Sequence, residues 1–190
     1  MPRALPYLLV VLLSLGACSS MKIDDFAETR PVFSPEVYFA GQSRAWGMFQ
    51  DRFGNLKREF TVDLQGDWDG TTLTLTEDFD YSDGEKEQRI WRITKTGDGT
   101  YDGRADDVVG VAKGFARGNA LNWSYDLMLK VGDSRIKVRF DDWMFLQPDG
   151  VLINKADVSK FGITIGTVTL FFKKDALPKE SSLDRRKPAA

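Results

Sequence analysis

Ala120-Leu121-Asn122-Trp123-Ser124-Tyr125-Asp126-Leu127-Met128-Leu129-Lys130-Val131 is the stretch whose reading decides the fold. Leu121, Trp123, Tyr125, Leu127 and Leu129 occupy alternate positions, so an extended chain puts them on one face and Asn122, Ser124, Asp126 and Lys130 on the other. Alternation of this length predicts a strand with one dry and one wet side. Gly118-Asn119 before it and Gly132-Asp133 after it are residues that accept the positive φ of tight hairpins.

Working outward, the same pattern recurs along the chain. Strands are predicted over 41–50, 56–65, 71–81, 86–94, 101–106, 109–117, 120–131, 134–146, 151–160 and 163–173. Between them stand further turn signals, among them Arg52-Phe53-Gly54-Asn55, Ser82-Asp83-Gly84-Glu85, Thr96-Gly97-Asp98-Gly99 and Gln147-Pro148-Asp149-Gly150. No stretch after the N-terminal apolar run has sustained helical periodicity. The chain therefore reads as an all-β, antiparallel up-and-down meander of about eight to ten strands, which closes most simply into a barrel with no free edges. A β-sandwich would give the same alternation and stays open as the alternative.

Charged residues interrupt the apolar stripes. Arg58 shares a face with Leu56, Phe60, Val62 and Leu64, and Glu77 with Leu73, Leu75, Phe79 and Tyr81. Arg89 precedes Trp91 and Ile93 in register, and Asp142 sits among Ile136, Val138, Phe140, Met144 and Leu146. An unpaired buried charge is expensive, so each is expected to be paired or to reach water at a barrel mouth. Arg58 with Glu77, or Arg89 with Asp142, would satisfy one another. Read functionally, such charges are polar anchors in an apolar lumen, where an Arg binds a carboxylate or phosphate in bidentate fashion. Arg58, Glu77, Arg89 and Asp142, with the inward aromatics Trp91, Trp123 and Tyr125, are the candidate ligand-binding residues.

The N-terminus carries an address. Arg3, an apolar run of about 12 residues and Leu15-Gly16-Ala17-Cys18 form the three-part pattern of an export signal ending in a lipobox. The run is shorter than the roughly 20 residues of a spanning helix. Residues 1–17 are expected to be removed and Cys18 lipidated, acyl chains contributing about 0.8 kcal/mol per buried CH₂. Ser19 in place of an Asp favours the outer membrane, facing the periplasm. Residues 18–36 read as a lipidated tether, 37–176 as the barrel domain and 177–190 as a disordered tail.

Composition removes whole classes of chemistry. The chain has no histidine and a single cysteine. A Ser-His-Asp or Cys-His system, a His-bearing zinc site, a Cys-ligated cluster and a structural disulfide cannot be assembled, and no cofactor is expected. With 26 basic and 28 acidic residues the formal charge is −2, so there is no basic field for nucleic acid. Asp106-Asp107 and Asp141-Asp142 are adjacent in strands, face opposite ways and cannot share a substrate proton. Asp67-Trp68-Asp69-Gly70 lacks the remaining ligands of a calcium loop and reads as a turn. The glycines at 110, 114 and 118 lack nucleotide-binding spacing and suit bends in a coiled strand.

Phe39-Ala40-Gly41, Asp51-Arg52-Phe53-Gly54, Arg89-Ile90-Trp91-Arg92-Ile93, Tyr101-Asp102-Gly103-Arg104-Ala105, Gly118-Asn119-Ala120-Leu121-Asn122-Trp123 and Phe140-Asp141-Asp142-Trp143-Met144 follow the lipobox. In that combination the chain resembles the bacterial lipoproteins grouped as domain of unknown function 3833. The resemblance implies a lipocalin-like (calycin-type) barrel and carries over no catalytic residue. Three functional classes follow for the chain. A non-enzymatic, lipid-anchored barrel would bind a hydrophobic or amphipathic ligand such as a fatty acyl or phospholipid-derived molecule. An isomerase or cyclase would use Glu77 or Asp142 as base and Arg58 or Arg89 as electrostatic partner. A structural lipoprotein would dock a protein partner through outward aromatics such as Trp143 and Phe145.

Overall fold

Alternation becomes pleat in ten consecutive strands. They are β1 (Gly41–Asp51), β2 (Leu56–Trp68), β3 (Thr72–Tyr81), β4 (Lys86–Gly97), β5 (Thr100–Arg104), β6 (Val108–Arg117), β7 (Ala120–Val131), β8 (Ser134–Leu146), β9 (Val151–Lys160) and β10 (Ile163–Lys174). The computed structural model describes residues 21–132 and 134–174; the expected signal peptide, Cys18 and the C-terminal tail lie outside them. Each strand pairs antiparallel with the next, and β10 returns to β1 from Ser43↔Lys174 to Asp51↔Gly166. The sheet is a closed up-and-down barrel, lipocalin-like in connectivity, and not the alternative sandwich.

The faces fall as the stripes predict. Val62, Leu64, Leu73, Leu75, Leu121, Trp123, Leu127 and Val138 are buried inside, while Asp141, next to Asp142, is exposed. Asp69 accepts the backbone N–H groups of Thr71 and Thr72 at 2.8 Å, so the Asp67–Gly70 motif is the expected turn.

Gly103 and Gly114 serve packing. A Cβ on either would overlap the Trp123 indole, which lies flat against β5 and β6. Gly110, with φ +80, instead sits at the register shift between Val109 and Lys113.

Residues 18–36 are expected as a tether, and their described part is not one. Phe26, in a 3₁₀ turn (Ile23–Phe26), rests outside the barrel on Trp143 and Phe145, with ring centroids 5.9 and 5.4 Å away. Phe33 is 2% exposed and its N–H donates to the Gly118 carbonyl at 2.7 Å. A single helical turn, α1 (Pro35–Tyr38), then lays Tyr38 and Phe39 across one end of the barrel. Phe39 meets Phe172 edge-on, and the Tyr38 hydroxyl lies 3.0 and 3.1 Å from the Gly150 and Phe172 carbonyl oxygens. Glu36 is buried beneath them. Burial opposes its ionisation, but the Lys95 ammonium at 2.7 Å and the Tyr101 hydroxyl at 2.9 Å hold its carboxyl below the usual range. A polar average hid Phe26 on the outer wall and Phe33 at this end, where Tyr38 and Phe39 complete the seal.

The opposite end is open, and its wall is uneven. Among the described residues β5 pairs with β4 only as far as Arg92, and β6 with β7 only as far as Leu127, so Lys86–Trp91 and Met128–Val131 stand above a notch. Charged side chains along an unpaired edge discourage pairing with another chain.

Gly114→Ala forces a methyl group into the Trp123 ring, an overpacking that costs about 1–3 kcal/mol. Thermal unfolding should show a Tm roughly 3–10 °C below that of the parent; an unchanged Tm would contradict this packing.

Candidate functional site

The barrel encloses a cavity of about 420 Å³, within the roughly 300–1,000 Å³ of small-molecule sites. Phe39 and Phe172 form its floor, Leu75, Ile93, Leu121 and Val168 its lower wall, and Lys57, Arg58, Tyr81, Glu87 and Lys130 stand towards the open end. Between floor and mouth runs a polar band.

Glu77 of β3 and Arg89 of β4 are cross-strand partners. The Arg89 guanidinium is held chiefly by Asp107, in the β5–β6 turn, whose carboxylate lies 2.9 Å from Nε and 2.8 Å from the nearer terminal nitrogen. Glu77 stands at 3.9 Å. The ion pair thus spans the base of the notch and joins β4 to a turn that no ladder reaches. Asp142, on β8, is 6% exposed. Its Oδ1 accepts a hydrogen bond from the buried Asn154 amide at 3.0 Å, while its Oδ2 has no partner among the described residues. Tyr125 lies within the field of both groups, stacked on Phe140 at 5.1 Å and edge-on to Trp91 at 5.2 Å. Trp123 meets Trp91 at 5.6 Å and completes an aromatic wall.

Both carboxyls are pushed up to about 7. For Glu77 burial is the main cause, opposed by Arg89 and reinforced by Asp107. For Asp142 burial again dominates, opposed by the Asn154 hydrogen bond and reinforced by Asp141 and Glu77. Tyr125, fully enclosed and facing Asp142, stays protonated. Near neutrality the band holds two carboxyl groups poised between acid and carboxylate, one committed cation and one phenol.

Six of the seven candidate residues meet in the lumen: Glu77, Arg89, Trp91, Trp123, Tyr125 and Asp142. Arg58 is the seventh and belongs to the mouth. Its guanidinium lies over the Tyr81 ring at 3.5 Å and pairs with Asp83 at 2.8 Å and Glu85 at 2.6 Å. The expected Arg58–Glu77 pair does not form, because Glu77 opposes Leu64, six residues from Arg58 and so roughly 20 Å along the strand. Nor does Arg89 meet Asp142, since Asp107 reaches it from the adjoining turn. Arg89 is accordingly not a free bidentate anchor.

Two residues were missed by sequence reasoning. Asp107 was noted only as half of an acidic pair, and its position in a turn facing the lumen depends on how short β5 is. Asn154 was legible, because Leu152, Asn154, Ala156 and Val158 alternate as one inward stripe with a polar member. Among the described residues no group of three or more carboxylates converges to hold a metal ion.

Fold and site together define an up-and-down β-barrel with a mostly apolar lumen and an internal carboxyl group that has one oxygen without a partner among the described residues. The family model described as Protein of unknown function (DUF3833) matches residues 12–174, and the chain belongs to that family. No curated protein matches the chain.

The Asp142 carboxyl sets a pH dependence whose sign follows from its direction of shift. Its ordinary value is 3.8 and its folded value about 7, so the folded chain binds the extra proton between them. Stability is lost as pH rises from about 4 to about 7 and stays lost above. Asp142→Asn keeps an acceptor for Asn154 and removes the charge. It should raise Tm at pH 8 by several degrees, on the order of 2 kcal/mol, and by almost nothing at pH 4. An equal effect at both pH values would show that ionisation of Asp142 is not the cause.

Proposed function

We propose that this protein is a lipid-anchored barrel of the bacterial envelope, held through Cys18 on the periplasmic face of the outer membrane, that binds a molecule carrying a fatty acyl or similar apolar chain in its lumen. The observation that carries the reading is Asp142, a buried carboxyl at mid-height in a mostly apolar cavity, whose Oδ2 has no donor among the described residues. A bound group that donates a hydrogen bond there satisfies it. A carboxylate or phosphate at that depth would meet Glu77, Asp107 and Asp142 against one guanidinium already paired. The buried polar group of the ligand is therefore an uncharged donor such as a hydroxyl, with anionic groups left at the mouth near Lys57 and Lys130.

Trp91 and Trp123 line the cavity, so their fluorescence reports occupancy. Titrated at pH 8, dodecanol should bind at least about tenfold more tightly than dodecanoate, a preference of the size one satisfied buried acceptor supplies. Asp142→Leu should abolish the preference while retaining affinity for the chain. No saturable response to either probe, with no lipid extracted from the purified protein, would overturn the reading.

The anchor has its own test. Cells fed labelled palmitate should yield a labelled protein, and Cys18→Ala should remove the label; label retained in the variant would refute lipidation at this residue.

A second reading rests on the two carboxyls near 7. A buried base of that value beside a substrate chain is suited to proton transfer, which would make the protein an isomerase. Mass analysis of bound lipid before and after incubation separates the two, since a carrier returns its ligand unchanged.

A further inference from the structure

Two neighbouring hairpins at the open end carry large apolar residues that bury almost nothing. Phe53, in the β1–β2 turn, is 75% exposed, and Phe161, in the β9–β10 turn, is 94% exposed. Leu56 and Ile163, at the feet of the same hairpins, are 52% and 61% exposed. The Arg52 N–H donates to the Ile165 carbonyl at 3.0 Å, which binds one hairpin to the other, so the four side chains occupy one sector of the rim.

Phe161 is an unlikely choice on conformational grounds. Lys160 pairs with Ile163 across a two-residue turn, in which Phe161 has φ +51 and Gly162 φ +78. Such a turn favours Asn or Gly at its first position, and a bulky side chain there is strained. With 94% exposure the ring recovers nothing from the core. Its gain lies outside the chain.

Charge narrows what lies outside. Arg52 lies over Phe53 at 4.7 Å and Lys160 over Phe161 at 5.5 Å, and neither has a carboxylate partner among the described residues. Of the nearby acids, Asp51 is tied to Asn55 and Lys57, and Glu59 faces outward further down β2. On the adjoining β3–β4 hairpin the acids are already engaged, Asp80 by Lys86, Asp83 and Glu85 by Arg58, and Glu87 by the Tyr81 hydroxyl. Aromatic tips flanked by unpaired cations suit the interface of an anionic bilayer.

The anchor points the same way. Met21 lines one groove with Trp143, Lys155 and Asp157 on the outer wall of β8 and β9. Cys18 is three residues upstream, at most about 11 Å of chain. Phe161 stands four residues beyond Asp157, roughly 13 Å along β9. Acyl chain and aromatic tip thus belong to one flank of the barrel.

We infer that the β1–β2 and β9–β10 hairpins form a docking rim that sets the open mouth on a bilayer with anionic headgroups, so that the lumen exchanges its ligand with the membrane. The inference deepens the carrier reading and rests on it for what passes through the mouth; the docking itself does not need the acyl anchor.

The test uses the unacylated chain from Ser19 to Ala190, which keeps the whole closed barrel, and co-sedimentation with vesicles. Vesicles of phosphatidylethanolamine with phosphatidylglycerol should bind it about tenfold better than phosphatidylcholine alone, and added salt should weaken the binding. Phe53→Ser with Phe161→Asn should lower binding by at least about tenfold, and Asn suits the turn, so the variant folds. Dodecanol titration on the same variant should be unchanged, which keeps failure of docking distinct from failure of the cavity. No sedimentation with either vesicle, binding indifferent to the two substitutions, or a dimer that the substitutions dissociate would overturn the proposal.

Discussion

Closure of ten strands governs everything else in this molecule. Eight strands enclose a space that side chains can just fill, and diameter grows with strand number. With β1 and β10 joined along Ser43–Asp51, the ring is too wide for Leu and Val alone. Large aromatics take up the surplus where glycine lets them lie against the wall: Phe60 over Gly47, Phe49 over Gly166 and Trp123 over Gly103 and Gly114. The same width leaves one end open, and the N-terminal segment fills it with Phe33, Tyr38 and Phe39. What remains unfilled is the cavity.

The ring is also incomplete in height, and that explains where its charges sit. β5 is five residues long, so β4 above Arg92 has no ladder partner on that side. Arg89 supplies a side-chain link to Asp107 in place of backbone pairing, and the Met128 N–H donates to the Asp107 carbonyl at 2.8 Å from the other flank. Removing either member would leave a buried charge without compensation, a loss of about 3–5 kcal/mol. Arg89 and Asp107 therefore belong to the architecture, and Glu77, at the longer distance, tunes their field.

Alternation made the barrel legible, because one buried face imposes period two and a slip of one residue would turn every stripe inside out. The inward stripes read from the sequence are inward in the structure except at Leu56, which is exposed beside the register shift at Gln50, and Asp142 and Glu77 followed from parity alone. Pairing was not legible. Which charge meets which depends on register and on the length of β5, and neither leaves a local trace; hence Arg58 went to the mouth and Arg89 to Asp107. The plug was hidden for a different reason. Phe33, Tyr38 and Phe39 have no period, since they fill an end of a barrel and do not line a face, so composition put Phe33 in a tether and left Tyr38 and Phe39 as the unassigned start of the barrel domain.

Asp142 is the group the architecture does not account for. It closes no gap in the wall, and Asn154 satisfies only one of its oxygens. A leucine there would continue the stripe from Phe140 to Met144, and replacing buried charge by well-packed apolar residues is commonly neutral or stabilising. A carboxyl that burial has driven to about 7 reduces stability at neutral pH, and the Asn154 hydrogen bond offsets only part of the loss. The surrounding wall is aromatic packing, and Oδ2 is left buried with no hydrogen-bond partner among the described residues. In the carrier we propose, a donor on the bound molecule restores the balance.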